Sequence, residues 1–395
     1  MQLPKKIINY SKQNIFKSDI DSVSSVLRSN FLTQGPKVEK FEKKISEFCK
    51  SKFAVACNSA TSALHLACLA LGLKKDDIVW TNPISFVASA NCAVYCGAKV
   101  DYIDIDIKKF NITFDNFNKK LLEAKKKKKL PKILILVDYA GFPCDLDKIY
   151  KVARQNKIFI IQDSSHSFGA RFKNNTVGNC KYSDITVFSF HPVKIITTGE
   201  GGIATTNNLV LYDKMMKLRT HGIVRNYREF KKKNKMNWYY EQQLLGFNYR
   251  MSDIEASLGL SQLKRIKTNL RCRKKIAQNY IKKLDNKITL IASSKDIESS
   301  YHLFPIYLDK LKIKLNRDKL YKRLLKKRIK CQVHYIPIFL QPFFFKKKNI
   351  KKYKKMFPNS IDYYNSTLSL PMYYGLTSID QNYVIETINK LVNEK

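Results

Sequence analysis

No apolar run in this chain of 395 residues approaches the roughly 20 residues needed to cross a bilayer. The opening segment MQLPKKIINYSKQNIF has neither the apolar core nor the small-residue cleavage site of a secretory signal. These two absences lead us to expect a soluble, cytoplasmic protein with no membrane partner. Paired cysteines are missing as well. The nine cysteines, from Cys49 to Cys331, are odd in number, form no C-x-x-C pair, and do not sit at zinc-site spacing from histidines. Free thiols in a reducing compartment are expected, and no metal site. Acidic residues are the third shortage: 32 Asp and Glu oppose 73 Lys and Arg, which leaves a net charge of +41.

Such a charge raises nucleic acid or an acidic membrane as a partner. Its distribution argues otherwise. The densest runs are Lys125 to Lys129, Lys231 to Lys235 and Lys346 to Lys355, each in a stretch that reads as a loop or a solvated helix end. No helix-turn-helix, zinc finger, RNA-recognition motif or basic-aromatic platform accompanies them. No specific nucleic-acid partner is therefore expected. The excess charge would still draw phosphorylated small molecules, at rates that fall as salt rises.

What is present is a globular composition, 44% hydrophobic and 27% charged, over a length that suits two domains. Between about residues 53 and 205, short β-branched runs alternate with helix-length segments. The expected strands are FAVACN (Phe53 to Asn58), DIVWTN (Asp77 to Asn82), KVDYIDI (Lys99 to Ile105), KILILVD (Lys132 to Asp138), IFIIQD (Ile158 to Asp163) and ITVFSF (Ile185 to Phe190). Between them lie helical segments such as SATSALHLACLALG and ISFVASANCAVYCG. This pattern marks an α/β unit whose mainly parallel sheet is covered on both faces. Two helices are expected before it, beginning near Ser18 and Pro36, and a long amphipathic helix after it, opening near Ser252. Beyond that, YHLFPIYL and CQVHYIPI read as strands and SIDQNYVIETINKLVNE as a closing helix. Arg250 to Ser252 is the expected boundary between a large domain, 1–250, and a smaller C-terminal domain, 251–395.

In sheets of this kind ligands bind beyond the carboxyl ends of the strands. Here those ends carry Asn58 to Ser62, Pro83 to Phe86, Asp138 to Gly141, Asp163 to His166, and Ser189 to Lys194. In FSFHPVKIITTGEGG, Lys194 is the one charge before Glu200. A lysine on a loop after a buried strand can lose its proton by desolvation and attack an aldehyde. An aldehyde cofactor with a phosphate and a pyridine ring also needs a helix N-terminus or hydroxyl donors, an acid at the ring nitrogen and an aromatic cover. Thr61, Ser62 and Ser189 suit the first, Asp163 the second and Phe86 the third. Singly, each has a plainer reading: most lysines after strands are surface lysines, and NSATS can be an ordinary helix cap. Their succession at strand ends makes the combined reading.

These segments resemble the sugar aminotransferases of the DegT/DnrJ type, pyridoxal-phosphate enzymes of the aspartate-aminotransferase fold. The likeness runs through LTQGPKVEKFE, SATSALHLACLALG, GAKVDYIDID, DYAGFPCDLDKI, QDSSHSFGA, FSFHPVKIITTGEGGIATTN, LRTHGI and GFNYRMSDIEASLGLSQL. A narrower likeness, through NPISFVASAN, DYAG, DSSHSFG and QVHYIPI, points to the branch that makes the pseudaminic-acid precursor. Ala60 and Gln162 depart from the glycine and glutamate usual in the family.

The resemblance implies fold type I, with a large domain built on a mainly parallel mixed sheet and a smaller C-terminal α/β domain. It implies pyridoxal 5'-phosphate as cofactor, with Lys194 as its Schiff-base lysine, Asp163 at the pyridine nitrogen and His166 at the ring hydroxyl. Thr61, Ser62 and Ser189 match phosphate contacts, Phe86 the ring-stacking position, and Asn248 the asparagine offered to the neighbouring subunit's phosphate. A homodimer with shared active sites follows. Arg250, His334 and Tyr335 fall in segments that approach a nucleotide-sugar substrate, with glutamate as amino donor. A side-branch of the family carries histidine in place of the lysine and dehydrates sugars; Lys194 favours transamination. His191 and Glu200 read mainly as loop-shaping residues, His65 and His302 as structural, and His221 remains open. The competing readings are a perosamine- or bacillosamine-type aminotransferase, a regulatory relative without turnover, and a nucleic-acid binder.

Overall fold

The computed structural model describes residues 3–394 except 233, 235 and 346–349, so two of the lysine runs lie partly outside the described residues. Its central sheet has β1 (Phe53–Cys57), β2 (Ile78–Thr81), β3 (Lys99–Tyr102), β4 (Ile133–Val137) and β5 (Phe159–Asp163). A short hairpin of β6 (Arg171–Phe172) and β7 (Asn175–Thr176) intervenes before β8 (Ile185–Ser189) and β9 (Gly202–Thr206) complete it. The order across the sheet is β3-β2-β4-β5-β8-β9-β1. All six expected strands are present, one or a few residues shorter than anticipated. β9 was not expected: GIATT holds one large aliphatic residue, yet all five of its residues are buried.

β9 runs antiparallel to both β8 and β1, and the other neighbours are parallel. Two reversals cancel, so β1 runs the same way as β8 and β5. The carboxyl ends of six strands therefore open on one edge. Gly202 makes this possible at the crowded end, where an added Cβ would stand 2.3 Å from the Ala60 amide nitrogen.

Helices α1 (Lys17–Leu27) and α2 (Pro36–Cys49) precede the sheet, and α3 (Ala60–Ala70), α4 (Ala88–Tyr95), α5 (Phe114–Lys126), α6 (Leu146–Gln155) and α7 (Leu209–Arg219) are interleaved with its strands. Successive strand residues face opposite sides. Ile135 meets Leu64, Ala67 and Ala93 from α3 and α4, whereas Leu134 and Leu136 meet Phe117, Leu121 and Ile149 from α5 and α6. Lys125 and Lys126 occupy the last turn of α5.

The expected long helix is two, α8 (Asp253–Leu263) and α9 (Ile266–Lys283). Ser252 caps the first with a reciprocal Glu255 box. Arg265 leaves helical geometry (φ −106°, ψ 8°) and turns to Asp19 at 2.6 Å. A small hairpin, β10 (Ile223–Val224) with β11 (Glu241–Gln242), precedes them. The second sheet joins β12 (Ile288–Thr289), β14 (Phe304–Leu308) and β15 (Thr367–Leu370), while β13 (Ile297–Glu298) pairs with β6. Helices α10 (Arg317–Lys326), α11 (Ile350–Met356), α12 (Pro358–Ser366) and α13 (Ser378–Asn393) complete this part of the chain.

CQVHYIPI is not the strand expected from its alternation. It contributes a single bridge, Gln332 with Ser369. The chain then leaves the ladder: the His334 carbonyl accepts from Tyr139 Oη at 2.8 Å, and the Ile338 amide donates to the Pro83 carbonyl at 2.9 Å.

Two of the hydrophobic clusters meet along α9. Met251, Ala256 and Ile266 pack with Phe41, Ile45 and Phe188, whereas Ile276, Ala277 and Tyr280 pack with Phe304, Ile306 and Val384. Because α9 contributes to both, we propose that the domain division falls within α9, about four or more helical turns beyond the expected residue 251. Asp253 ties α8 to the N-terminal helices. Fully buried, it accepts from the Gly35 and Lys37 amides at 2.7 Å each. Asp253→Ala leaves both donors without an acceptor and should lower unfolding stability by about 2–4 kcal/mol. A chemical-denaturation midpoint unchanged by this substitution would refute the assignment.

Candidate active site

A cavity of about 750 Å³ opens at the sheet edge where the strand ends converge. Asp163, His166, Ser189 and Lys194 line it from the large core, and His302, His334 and Tyr335 from the other. Tyr10, on the N-terminal strap, also reaches it. Asp163, His166, Ser189 and Lys194 are close in space for one topological reason: each ends or follows a strand whose carboxyl end faces the same way.

Asp163 ends β5 and is buried. One carboxylate oxygen, Oδ2, accepts from Ser89 Oγ at 2.6 Å; the other, Oδ1, accepts from Ser165 Oγ at 2.6 Å and the Ser165 amide at 3.2 Å. Ser85 Oγ in turn lies 2.8 Å from Ser89 Oγ. The carboxylate is thereby fixed in orientation while presenting an edge to the cavity. Beneath it, fully buried Asp138 accepts at Oδ2 from Gln162, Ser164 and Ser167 at 2.8, 2.8 and 2.6 Å. Burial, reinforced by the Asp163 charge and opposed by these donors, pushes Asp138 up to about 7.

Lys194 follows β8 on a turn closed by its own amide, which donates to the His191 carbonyl at 2.9 Å. Its Nζ makes no hydrogen bond to any described residue. Burial brings its pKa down to about 8, and the Asp163 charge opposes the shift. The nearby imidazoles respond in the same direction. Burial, then the Lys194 charge, holds His166 well below its ordinary value and His334 at about 3. His302 is held low by burial first, then by His166 and Lys194. The amine thus stands among neutral rings.

The Ala140 amide donates to His166 Nδ1 at 3.3 Å, so the imidazole proton belongs on Nε2. Nε2 then donates to Tyr335 Oη at 3.0 Å, which leaves the Tyr335 hydroxyl proton free. His302 packs on His166 with ring centroids 4.5 Å apart. His334 is fixed by Ser369 Oγ at 2.9 Å from its Nδ1.

At the other end of the cavity, α3 begins. Ser59 Oγ accepts from the Ser62 amide at 3.1 Å, and Ser62 Oγ donates to Asn58 Oδ1 at 2.7 Å. Ser59, Ala60 and Thr61 line the cavity, and Ser62 belongs to the cap behind them. The Thr61 hydroxyl has no partner among the described residues. Phe86 lines the cavity, 59% exposed, with its ring 6.3 Å from that of Tyr335. Asn248 and Arg250 do not line the cavity of their own chain. Asn248 is exposed and bridges to Thr220, and Arg250 bridges to Cys57. His191 and Glu200 are on the cavity wall, as is His302, while His65 is buried against Tyr249.

Sequence reasoning missed Ser89, Tyr10 and the role of Asp138. Ser85 and Ser89 stand one helical turn apart in a small-residue segment after β2, which was a usable signal. Tyr10 lies on a strap without periodicity and gave none.

The donor set fits pyridoxal phosphate: free amides and a hydroxyl at a helix N-terminus for phosphate, a clamped carboxylate for a ring nitrogen, and a lysine of lowered basicity for an aldehyde. Fold and site together define a pyridoxal-phosphate-dependent transferase of fold type I, a sugar aminotransferase. The chain belongs to the DegT/DnrJ/EryC1/StrS aminotransferase family, whose model matches residues 13–389. It is 42% identical over 306 residues to the UDP-4-amino-4,6-dideoxy-N-acetyl-beta-L-altrosamine transaminase of Campylobacter jejuni, covering 76% of this chain and 77% of that one. Among solved structures, Spr1654 of Streptococcus pneumoniae, described as a sugar aminotransferase and seen in its PMP form, superposes with a TM-score of 0.87. It is 28% identical, over 98% of this chain and 99% of that one. Helicobacter pylori PseC, an aminotransferase involved in the biosynthesis of pseudoaminic acid, superposes with a TM-score of 0.86 at 30% identity, over 98% and 99%.

The lowered pKa of Lys194 has a kinetic signature. Only the neutral amine attacks an aldehyde, so reconstitution of cofactor-free protein with pyridoxal phosphate should accelerate as pH rises. The rate should climb about tenfold per unit below pH 8 and level off above about 8. A rate still climbing through pH 9.5 would show an amine of ordinary basicity.

Proposed function

We propose that this protein moves an amino group from glutamate to a UDP-linked 4-keto-6-deoxy-N-acetylhexosamine, in the biosynthesis of pseudaminic acid or a related surface glycan. The observation that carries the reaction type is the placement of Lys194 and the clamped Asp163 on one cavity wall. The likeness to the Campylobacter jejuni transaminase supports the choice of sugar and nucleotide.

Pyridoxal phosphate, when bound, supplies an electron sink that acidifies the carbon carrying the amino group. Lys194 Nζ takes that proton from Cα of the donor and returns one to the sugar carbon that receives the amine. Asp163 holds a proton on the pyridine nitrogen, with its two oxygens kept in place by Ser89 and Ser165. Thr61, Ser189 and the free amides of α3 hold the phosphate, and Ser62 acts through the cap that shapes them. Phe86 covers the ring face. His166 and Tyr335 stand at the ring hydroxyl and His334 toward the sugar nucleotide, whereas Arg250, which does not line its own chain's cavity, keeps a substrate role only through the family resemblance. Water is limited by the aromatic wall formed by Tyr10, Phe86 and Tyr335.

Asn248 projects outside its own cavity, so it serves the phosphate of a second copy across a dimer interface. Exposed Ile20, Leu27, Phe31 and Leu32 give that copy an apolar surface to cover.

The first test is single turnover by the amine-loaded enzyme with UDP-, GDP- and dTDP-linked 4-keto-6-deoxy sugars, followed by visible absorbance. Recovery of the aldehyde-form spectrum with a UDP sugar alone is expected; recovery with a GDP sugar instead would favour a perosamine-type reaction. Lys194→Ala should slow turnover by at least about 10²-fold, and wild-type rates in that variant would remove the lysine from the chemistry. The shared site has its own test. Lys194→Ala and Asn248→Asp chains, each impaired alone, should on co-expression recover about one quarter of wild-type activity. Half of the dimers are then mixed, and each mixed dimer has one intact site. No recovery would place both residues in one chain's site.

A further inference from the structure

A second, smaller cavity of about 70 Å³ also reaches Lys194, between the N-terminal strap and the start of α9. It has room for a few waters or one small ion. Lys12, Lys194, Arg265 and Arg273 all line it, and no aspartate or glutamate does. Arg265 is neutralised by Asp19 at 2.6 Å. Arg273 has no such partner among the described residues.

Arg273 is 2% exposed. Its Nε donates to Asn269 Oδ1 at 3.0 Å, and Nη1 donates to the carbonyls of Tyr301, His302 and Met372 at 3.3, 3.2 and 3.2 Å. Nη2 has no acceptor among the described residues, and none of their carboxylates lies within ion-pair distance of the guanidinium. Burial brings the group down to about 10, so it is still a cation at neutral pH. Carbonyl dipoles alone offset the desolvation of a buried charge poorly, and buried cations are ordinarily paired with an anion. The open space beside an unsatisfied Nη2 is where such an anion fits.

We infer that this cavity is an anion site taking one small oxyanion, carboxylate or inorganic, held by Arg273 Nη2 and Lys12. The site lies where the two cores meet. Asn269 links it to the lysine loop, because its Oδ1 accepts from Arg273 while its Nδ2 donates to the carbonyl of Ile195, the residue after Lys194. Occupation therefore braces the loop that carries Lys194 against the carbonyls of Tyr301 and Met372.

The test uses the full-length holoenzyme. At constant ionic strength, sulfate or acetate should raise the unfolding temperature by a few degrees with a saturating dependence. The anion that does so distinguishes an inorganic from a carboxylate ligand. In Lys12→Gln the half-saturating concentration should rise about tenfold. Crystals soaked in sodium selenate should show a selenium signal within hydrogen-bond distance of Arg273 Nη2. A linear response that Lys12→Gln leaves unaltered, or selenate-soaked crystals with no signal in the cavity, would overturn the assignment.

Discussion

The clamp on Asp163 is the interaction from which the rest of the site takes its position. Hydroxyl groups from two different elements, Ser89 on α4 and Ser165 on the turn after β5, bind opposite carboxylate oxygens. Neither competes as a charge, so the carboxylate keeps its ability to hold a protonated ring nitrogen while losing its freedom to rotate. The turn itself is anchored from below, where one oxygen of Asp138 takes three donors from residues 162 to 167. The other oxygen, Oδ1, has no partner among the described residues. That burial is costly, and it fixes the same short segment that carries both Asp163 and His166.

The placement of this clamp depends on topology. A sheet with β1 antiparallel to β8 would send the N-terminus of α3 to the far edge, away from Asp163. The reversal contributed by β9 returns β1 to the direction of β5 and β8, and so puts a phosphate-binding helix start on the same edge as the acid and the lysine. Gly202 then lets Ala60 approach the first residue of β9.

Much of this was readable from sequence because parallel strands buried on both faces read as apolar runs, and the polar residues after each run stand out against them. Asp163, His166, Ser189 and Lys194 were found that way. β9 was not, since Gly, Ala and Thr are buried there by their neighbours and not by their own hydrophobicity. CQVHYIPI failed for the opposite reason: its alternation is that of a strand, but the His334 carbonyl is claimed by Tyr139 and its chain by the cavity wall. Asn248 and Arg250 carried a signal only through family resemblance, and neither lines the cavity of its own chain. Ser89 was overlooked because a single helical serine ordinarily has no fixed partner, and only its spacing from Ser85 marked it.

The charge of the chain acts at two ranges. Over the surface, 73 basic residues create a field screened beyond about 8 Å at physiological salt, enough to gather phosphorylated molecules and too diffuse to choose among them. Inside the cavity, desolvation governs. Burial, more than any like charge, depresses Lys194 and the three imidazoles together. Each ring that stays neutral also spares the lysine a repelling neighbour, so the lowered basicity of Lys194 does not rest on stacked cations that a salt change or a single protonation could undo. The surface lysines are in this sense interchangeable, and Lys194 is not: it is the lysine placed where burial strips water away, an acid is close and the three imidazoles of the cavity stay neutral.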